Sequence, residues 1–244
     1  MLVKKISIPE KKIRVLYNGI SVLKEYDHSR HHKKNNLKFR IGFIGRLDSP
    51  KGVHVLIDAM HYLKNKNFEL VIAGNGILES LLRERASALN NVSFIGRVKN
   101  PYLFMSKIDL LVVPSIREPL GNVCLEAGLC RVPVLAANVD GLPEIIENKI
   151  SGELIDATEE ISINTVQGAI SLPEFVVNPV KGNLSAPKQI NPSILAKRIL
   201  KLSSQDDKLK YYSNELNKKV KNKFSIDRYR RELHKMYREI DIKG

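Results

Sequence analysis

The stretch Ile108-Asp-Leu-Leu-Val-Val-Pro-Ser-Ile-Arg-Glu-Pro-Leu-Gly-Asn-Val-Cys-Leu-Glu-Ala-Gly-Leu-Cys130 decides how this chain folds. Its first part, Leu110–Pro114, is an unbroken apolar run. Such a run fits a strand buried on both faces, as in a parallel sheet covered by helices. A polar loop follows, and then a helical pattern over Asn122–Cys130. Glu118 lies in the loop and Glu126 inside the helix. A carboxylate at a strand's C-terminal end and another in the next helix both face the crevice where open α/β sheets bind ligands. Together they can accept hydrogen bonds from several hydroxyls.

The same alternation extends outward on both sides. Strands are expected at Arg40–Ile44, Glu69–Ala73, Val92–Ile95, Leu110–Pro114 and Val132–Ala136. Helices are expected at Val53–Leu63, Leu78–Leu89, Tyr102–Ser106 and Asn122–Cys130. Strands alternating with helices are the signature of βαβ units. The fold class is therefore α/β, a Rossmann-like doubly wound parallel sheet with a C-terminal helical tail. Residues 41–155 form the core of this reading. Residues 1–40 are a basic lead-in holding a short strand over Lys12–Ile20, closed by an Asn18-Gly19 turn, and a polar loop over 24–38. Residues 156–191, with scattered Pro and Gly and no sustained period, read as an irregular surface insertion. Residues 192–244 are helical, with Ile194, Leu195, Ile199 and Leu200, then Phe224, Tyr229, Leu233, Met236 and Tyr237 at helix spacing.

Composition narrows the function classes. The 244 residues, 43% hydrophobic and 27% charged, have globular proportions, and no apolar run approaches the roughly 20 residues of a membrane helix. The N-terminus lacks the pattern of a signal peptide. Cys124 and Cys130 fall in one helix on different faces, so both are expected reduced, with packing roles. The net charge of +14 is uneven: eleven basic against three acidic residues in 1–40, fifteen against seven in 192–244, and fourteen against sixteen between them. Basic flanks around a neutral centre suit an anionic membrane surface or an acidic partner. Nucleic acid is not expected, because aromatic interleaving and a recognisable module are lacking. The cluster His28-Ser-Arg-His-His32 lacks ligands at metal-site spacing, so no metal is expected.

Four loops at strand ends carry the chemistry. Gly45-Arg-Leu-Asp-Ser-Pro-Lys-Gly52 is a tight turn with two cations before a helix N-terminus. Arg46 supplies a fork and Lys51 a point charge, while Gly45 lets the backbone approach closely; together they suit a diphosphate. Ala73-Gly-Asn-Gly76 lacks a third glycine and a later acidic partner, which argues against a dinucleotide fingerprint. Gly96-Arg97-Val98 offers backbone groups to a base, and the fourth loop holds Glu118, Gly121 and Asn122. A further turn, Asp140-Gly-Leu-Pro-Glu144, follows the fifth strand.

Taken in order, Gly45-Arg46…Lys51-Gly52, Val71-Ile-Ala-Gly74, Phe94-Ile-Gly96, Glu118-x7-Glu126-Ala127 and Val132-Pro-Val134…Gly141-Leu-Pro-Glu144 resemble the donor-binding half of the family 4 retaining glycosyltransferases of GT-B architecture. The resemblance covers roughly residues 12–155 and the helical tail. It implies transfer of a sugar from a nucleotide-sugar donor (UDP- or GDP-linked) with retention, in polysaccharide or lipopolysaccharide-type assembly, without metal or other cofactor. Arg46 and Lys51 would hold the diphosphate, Glu118 the hydroxyls of the transferred sugar, and Glu126 the ribose. Gly121, Asn122 and Val123 would give backbone amides, and Gly45, Gly74, Arg97 and Val98 complete the donor site. Pro119 stands where the family usually has glycine, and the insertion is longer than the loop expected there. Because the chain starts about where the family's acceptor half ends, a partner chain carrying an acceptor domain is expected. A cytoplasmic location, peripheral at the inner membrane face, goes with that reading. The alternative is a non-catalytic nucleotide-sugar-binding subunit or truncated remnant.

Overall fold

A computed structural model of the chain describes residues 7–21, 38–64, 67–163 and 166–241. Six strands form one parallel sheet: β1 (Phe39–Ile44), β2 (Phe68–Ala73), β3 (Val92–Gly96), β4 (Leu110–Val113), β5 (Val134–Ala137) and β6 (Glu153–Ile155). Their order is β3-β2-β1-β4-β5-β6. The connections are α1 (Val53–His61), α2 (Glu79–Arg85), α3 (Pro101–Met105), α4 (Asn122–Leu129) and α5 (Leu142–Ile145). Progress from β1 runs one way through β2 to β3, and from β4 the other way through β5 to β6. Right-handed crossovers therefore put the connecting helices on opposite faces. The expected class, a Rossmann-like doubly wound sheet, is the one observed.

Local chemistry sets the element ends. Asn100 caps α3 by accepting from Leu103 N–H, with Pro101 in the first turn. The fifth strand starts at Val134 rather than Val132 because Pro133 has no N–H to give; its carbonyl instead accepts from Leu111 N–H at 3.0 Å. The second helix is shorter than the expected Leu78–Leu89, ending in a turn after Arg85.

Two core elements, α5 and β6, have no counterpart among the expected ones. In β6 a charged residue broke the apolar pattern: Glu153 is only 2% exposed. Its carboxylate meets Arg198 Nη1 at 2.8 Å, Lys208 Nζ at 2.9 Å and the Tyr212 hydroxyl at 3.0 Å. Those partners sit on the tail helices α6 (Pro192–Ser203) and α7 (Asp206–Lys223). A buried carboxylate thus fastens the tail to the sheet, satisfied by the cations and hydroxyl that surround it. Helix α6 packs on α1, and α7 on α4. A last helix, α8 (Ile226–Asp241), follows.

The lead-in differs from its reading. Over 13–19 there is no strand, and no turn forms at Asn18-Gly19. The segment runs extended along the tail instead: Ile20 bridges Ser225, and the Tyr17 ring meets Phe224 edge-on at 5.5 Å. Gly19 serves this approach, since a Cβ there would lie 2.6 Å from that of Tyr229. The insertion is not wholly irregular either. It contains an antiparallel hairpin, β7 (Val176–Asn178) and β8 (Asn183–Ser185). The histidine cluster 28–32 and most of the 24–38 loop lie outside the described residues. Among the described residues, no helix is long and apolar enough to cross a membrane.

Candidate functional site

Strands β1 and β4 are neighbours whose crossovers leave in opposite directions, so the gap above their C-terminal ends is the sheet's topological switch point. The loops after them are joined through the main chain: Pro50 C=O accepts from Ile116 N–H at 2.9 Å and from Arg117 N–H at 3.2 Å. Side chains meet there too. Lys51 Nζ lies 2.6 Å from Glu118 Oε2, and Ser115 Oγ donates to the same oxygen at 3.3 Å. Glu118 is only 8% exposed. Lys51 spends one of its three donors on this pair, leaving two for a second anion. The other Glu118 oxygen takes no hydrogen bond from a described residue. Arg46, one turn earlier, is exposed, and its guanidinium has no partner among the described residues. A free guanidinium in the same loop as a paired ammonium leaves that loop an attractor for an oxyanion.

The neighbouring loop is held against the first. Gly45 N–H donates to Ala73 C=O at 3.0 Å, and Gly74 N–H to Gly96 C=O at 2.7 Å. Gly74 has φ of +136°, and a Cβ on it would fall 1.8 Å from Gly45 O, so no other residue fits. Gly96 ends β3, two strands from β1. Arg97 is exposed beside it, while Val98 packs partly against the core. These two are thus displaced along the sheet edge from the Lys51–Glu118 pair by about 10 Å, two strand spacings.

Gly121 precedes α4 with φ of +95°, so Asn122 and Val123 occupy the helix's first turn. Along α4, Glu126 lines a cavity of about 270 Å³ with Asn122, Leu125, Asn18, Ile20 and Tyr229. Asn18 Nδ2 donates to Asn122 Oδ1 at 3.2 Å. The Glu126 carboxylate has no hydrogen-bond partner among the described residues, and burial holds its pKa above the usual carboxylate value. An acceptor kept waiting in a cavity suits hydroxyl donors. Beneath it, burial also pushes the Cys124 thiol well up. Cys124 and Cys130 form no disulfide.

The structure therefore brings Lys51 and Glu118 together, with Arg46 exposed in the same loop as Lys51, puts Gly121, Asn122, Val123 and Glu126 at or along the adjoining helix, and sets Gly45, Gly74, Arg97 and Val98 along the C-terminal edge of the sheet. Sequence reasoning missed several participants. Asp48 is buried and accepts from Ser49 N–H and Ile170 N–H. Asp140, quoted only as part of a turn, accepts from Glu118 N–H at 3.0 Å. Tyr17 lies near Glu144, whose carboxylate, together with burial, pushes the tyrosine hydroxyl up to about 12. Asn18 and Tyr229 come from chain segments far from α4; the sequence marked them only as part of a turn and of a helical pattern, not as neighbours of Glu126.

A family model described as glycosyl transferases group 1 matches residues 25–166. An uncharacterized glycosyltransferase of Methanocaldococcus jannaschii is 33% identical over 192 residues, covering 71% of this chain and 49% of the relative. A capsular polysaccharide biosynthesis glycosyltransferase of Staphylococcus aureus is 28% identical over 243 residues, covering 93% of this chain and 56% of the relative. The chain thus spans about half the length of the curated relatives it matches. An Anabaena protein solved in complex with UDP-glucose shares the fold at a TM-score of 0.69 and 21% identity, over 93% of this chain and 57% of that one.

Proposed function

The chain belongs to the glycosyl transferases group 1 family, and from that premise we propose that its switch-point crevice is the donor site of a GT-B, family 4 glycosyltransferase acting with retention. The observation that carries the reading is the meeting of Lys51 and Glu118 at 2.6 Å above the switch point, with Arg46 exposed in the same loop as Lys51 and without a partner among the described residues. Arg46 and the two spare donors of Lys51 bind the donor diphosphate. In transfer they stabilise the charge that develops on the leaving nucleoside diphosphate, the task a metal ion performs elsewhere. Glu118 accepts from hydroxyls of the transferred sugar, and Glu126 from the ribose. Backbone amides at Gly121, Asn122 and Val123 add donors, and Gly96–Val98 receives the base end.

The donor is a UDP- or GDP-linked sugar. UDP-glucose in the Anabaena neighbour and the capsular role named for the Staphylococcus aureus relative support this choice and a place in polysaccharide or lipopolysaccharide-type assembly. Water must be kept from the donor, so the crevice needs a second wall. An acceptor-binding domain supplies it. The basic flanks hold the complex at an anionic membrane surface on the cytoplasmic side.

Isothermal titration with UDP, GDP, UDP-glucose and GDP-mannose tests the site. At least one is expected to bind below millimolar concentration, and Arg46→Ala weakens it about tenfold, as the loss of charged hydrogen bonds should. No binding of any of the four, with Arg46→Ala without effect, sinks the donor reading.

A further inference from the structure

The insertion between β6 and α6 reaches across the mouth of the site. Its base is closed by the reciprocal Glu159–Gln189 bridge, at 3.0 and 2.9 Å. There the Gln189 amide also meets His54 of α1 at 2.8 Å and accepts from Ser162 N–H at 2.9 Å. Farther out, Ile170 N–H donates to Asp48 Oδ1 at 3.0 Å, in the loop that carries Arg46 and Lys51. Beyond that, Val177 of β7 gives its N–H to Asp140 Oδ1 at 2.8 Å and accepts the Asp140 N–H at 3.1 Å. The second oxygen of Asp140 takes the Glu118 N–H at 3.0 Å, and Glu118 C=O accepts from Gly141 N–H at 3.1 Å.

One carboxylate therefore joins three things: the insertion, the loop after β5, and the main chain of Glu118. Asp140 itself sits at φ of +47°, a left-handed conformation that a side-chain-bearing residue keeps only when its surroundings over-determine it. Three hydrogen bonds between Asp140 and the main chain of Val177 and Glu118, with the adjacent Gly141–Glu118 bond, do that here. Glu118 is also restricted from its other side, because Pro119 disfavours the helical region for the residue before it. Clamp and proline leave the Glu118 backbone one orientation, which aims its side chain at Lys51.

We propose that Asp140 is a positioning residue for Glu118, and that the 156–191 insertion is the strap that holds this clamp shut. The proposal rests on the donor reading for its consequence: the clamp acts on the part of the site that grips the transferred sugar. Diphosphate binding by Arg46 and Lys51 does not depend on it.

Two variants of the full chain test this. Asp140→Asn keeps one acceptor where two N–H groups converge, and Val177→Pro removes the strap's donor. In both, the Glu118 amide is expected to exchange with solvent about tenfold faster, the loss of one charge-assisted bond. In titrations, UDP or GDP affinity stays within about twofold, while UDP-glucose or GDP-mannose affinity falls about tenfold. Unchanged exchange at Glu118 in either folded variant, checked by circular dichroism, overturns the clamp. Equal loss of nucleotide and nucleotide-sugar affinity overturns its positioning role. Should the unmodified chain bind none of the four probes, the donor reading fails by itself and exchange at Glu118 alone decides the clamp.

Discussion

Glu126 is a half-buried acid facing a cavity, and its raised pKa has a direct consequence for binding. Burial penalises its charged form, whereas ribose hydroxyls donating to it would favour that form. Nucleotide affinity should therefore increase as pH rises from about 4.5, the ordinary value, through the raised one, and then level off. Titrations across weakly acidic pH check this. Glu126→Gln should remove the pH dependence and weaken binding about tenfold or more. A profile unchanged by the substitution would separate Glu126 from the ribose. The Lys51–Glu118 pair shows how far the sequence was readable at this scale. Both residues were marked by their places at strand ends, yet their contact was not, because it joins loops 67 positions apart. Asp140 was harder still. Its importance lies in what its two oxygens touch, and an aspartate before a glycine reads as an ordinary turn.

Among the elements, β1 to β5 were legible from near-continuous apolar runs, plainest in β4 and β5, where every position is buried, and weakest in the partly buried β3. β6 was not, since Glu153 carries a charge whose partners lie 45 to 59 positions away. The hairpin β7–β8 is short and half exposed, with no alternation long enough to register. Insertion and core are joined at α1 through His54, whose pKa is lowered chiefly by burial. A base with a depressed folded pKa contributes stability that is full above its unfolded value of 6.5 and is lost as pH falls below it. The melting temperature should therefore drop between pH 7.5 and 5, and His54→Gln should flatten that drop. An equal fall in both proteins would place the acid sensitivity elsewhere.

For the whole molecule, the charge map gains a structural meaning. Described parts of the two flanks, distant in sequence, come together: Arg228 Nη2 donates to Tyr17 C=O at 2.6 Å, and Ile20 pairs with Ser225. They stand next to the Glu126 cavity, to which Asn18 and Tyr229 contribute. The switch-point crevice, the insertion and these joined segments thus lie toward the C-terminal ends of the strands, the arrangement that the proposed donor site with an acceptor wall requires. Amide hydrogen exchange with and without saturating UDP, GDP, UDP-glucose or GDP-mannose tests that placement most directly. The account predicts slowed exchange in residues 45–52, 96–98 and 118–126, and none attributable to ligand on the outer face of α7. Protection confined to other segments, or no protection by any of the four, would contradict it.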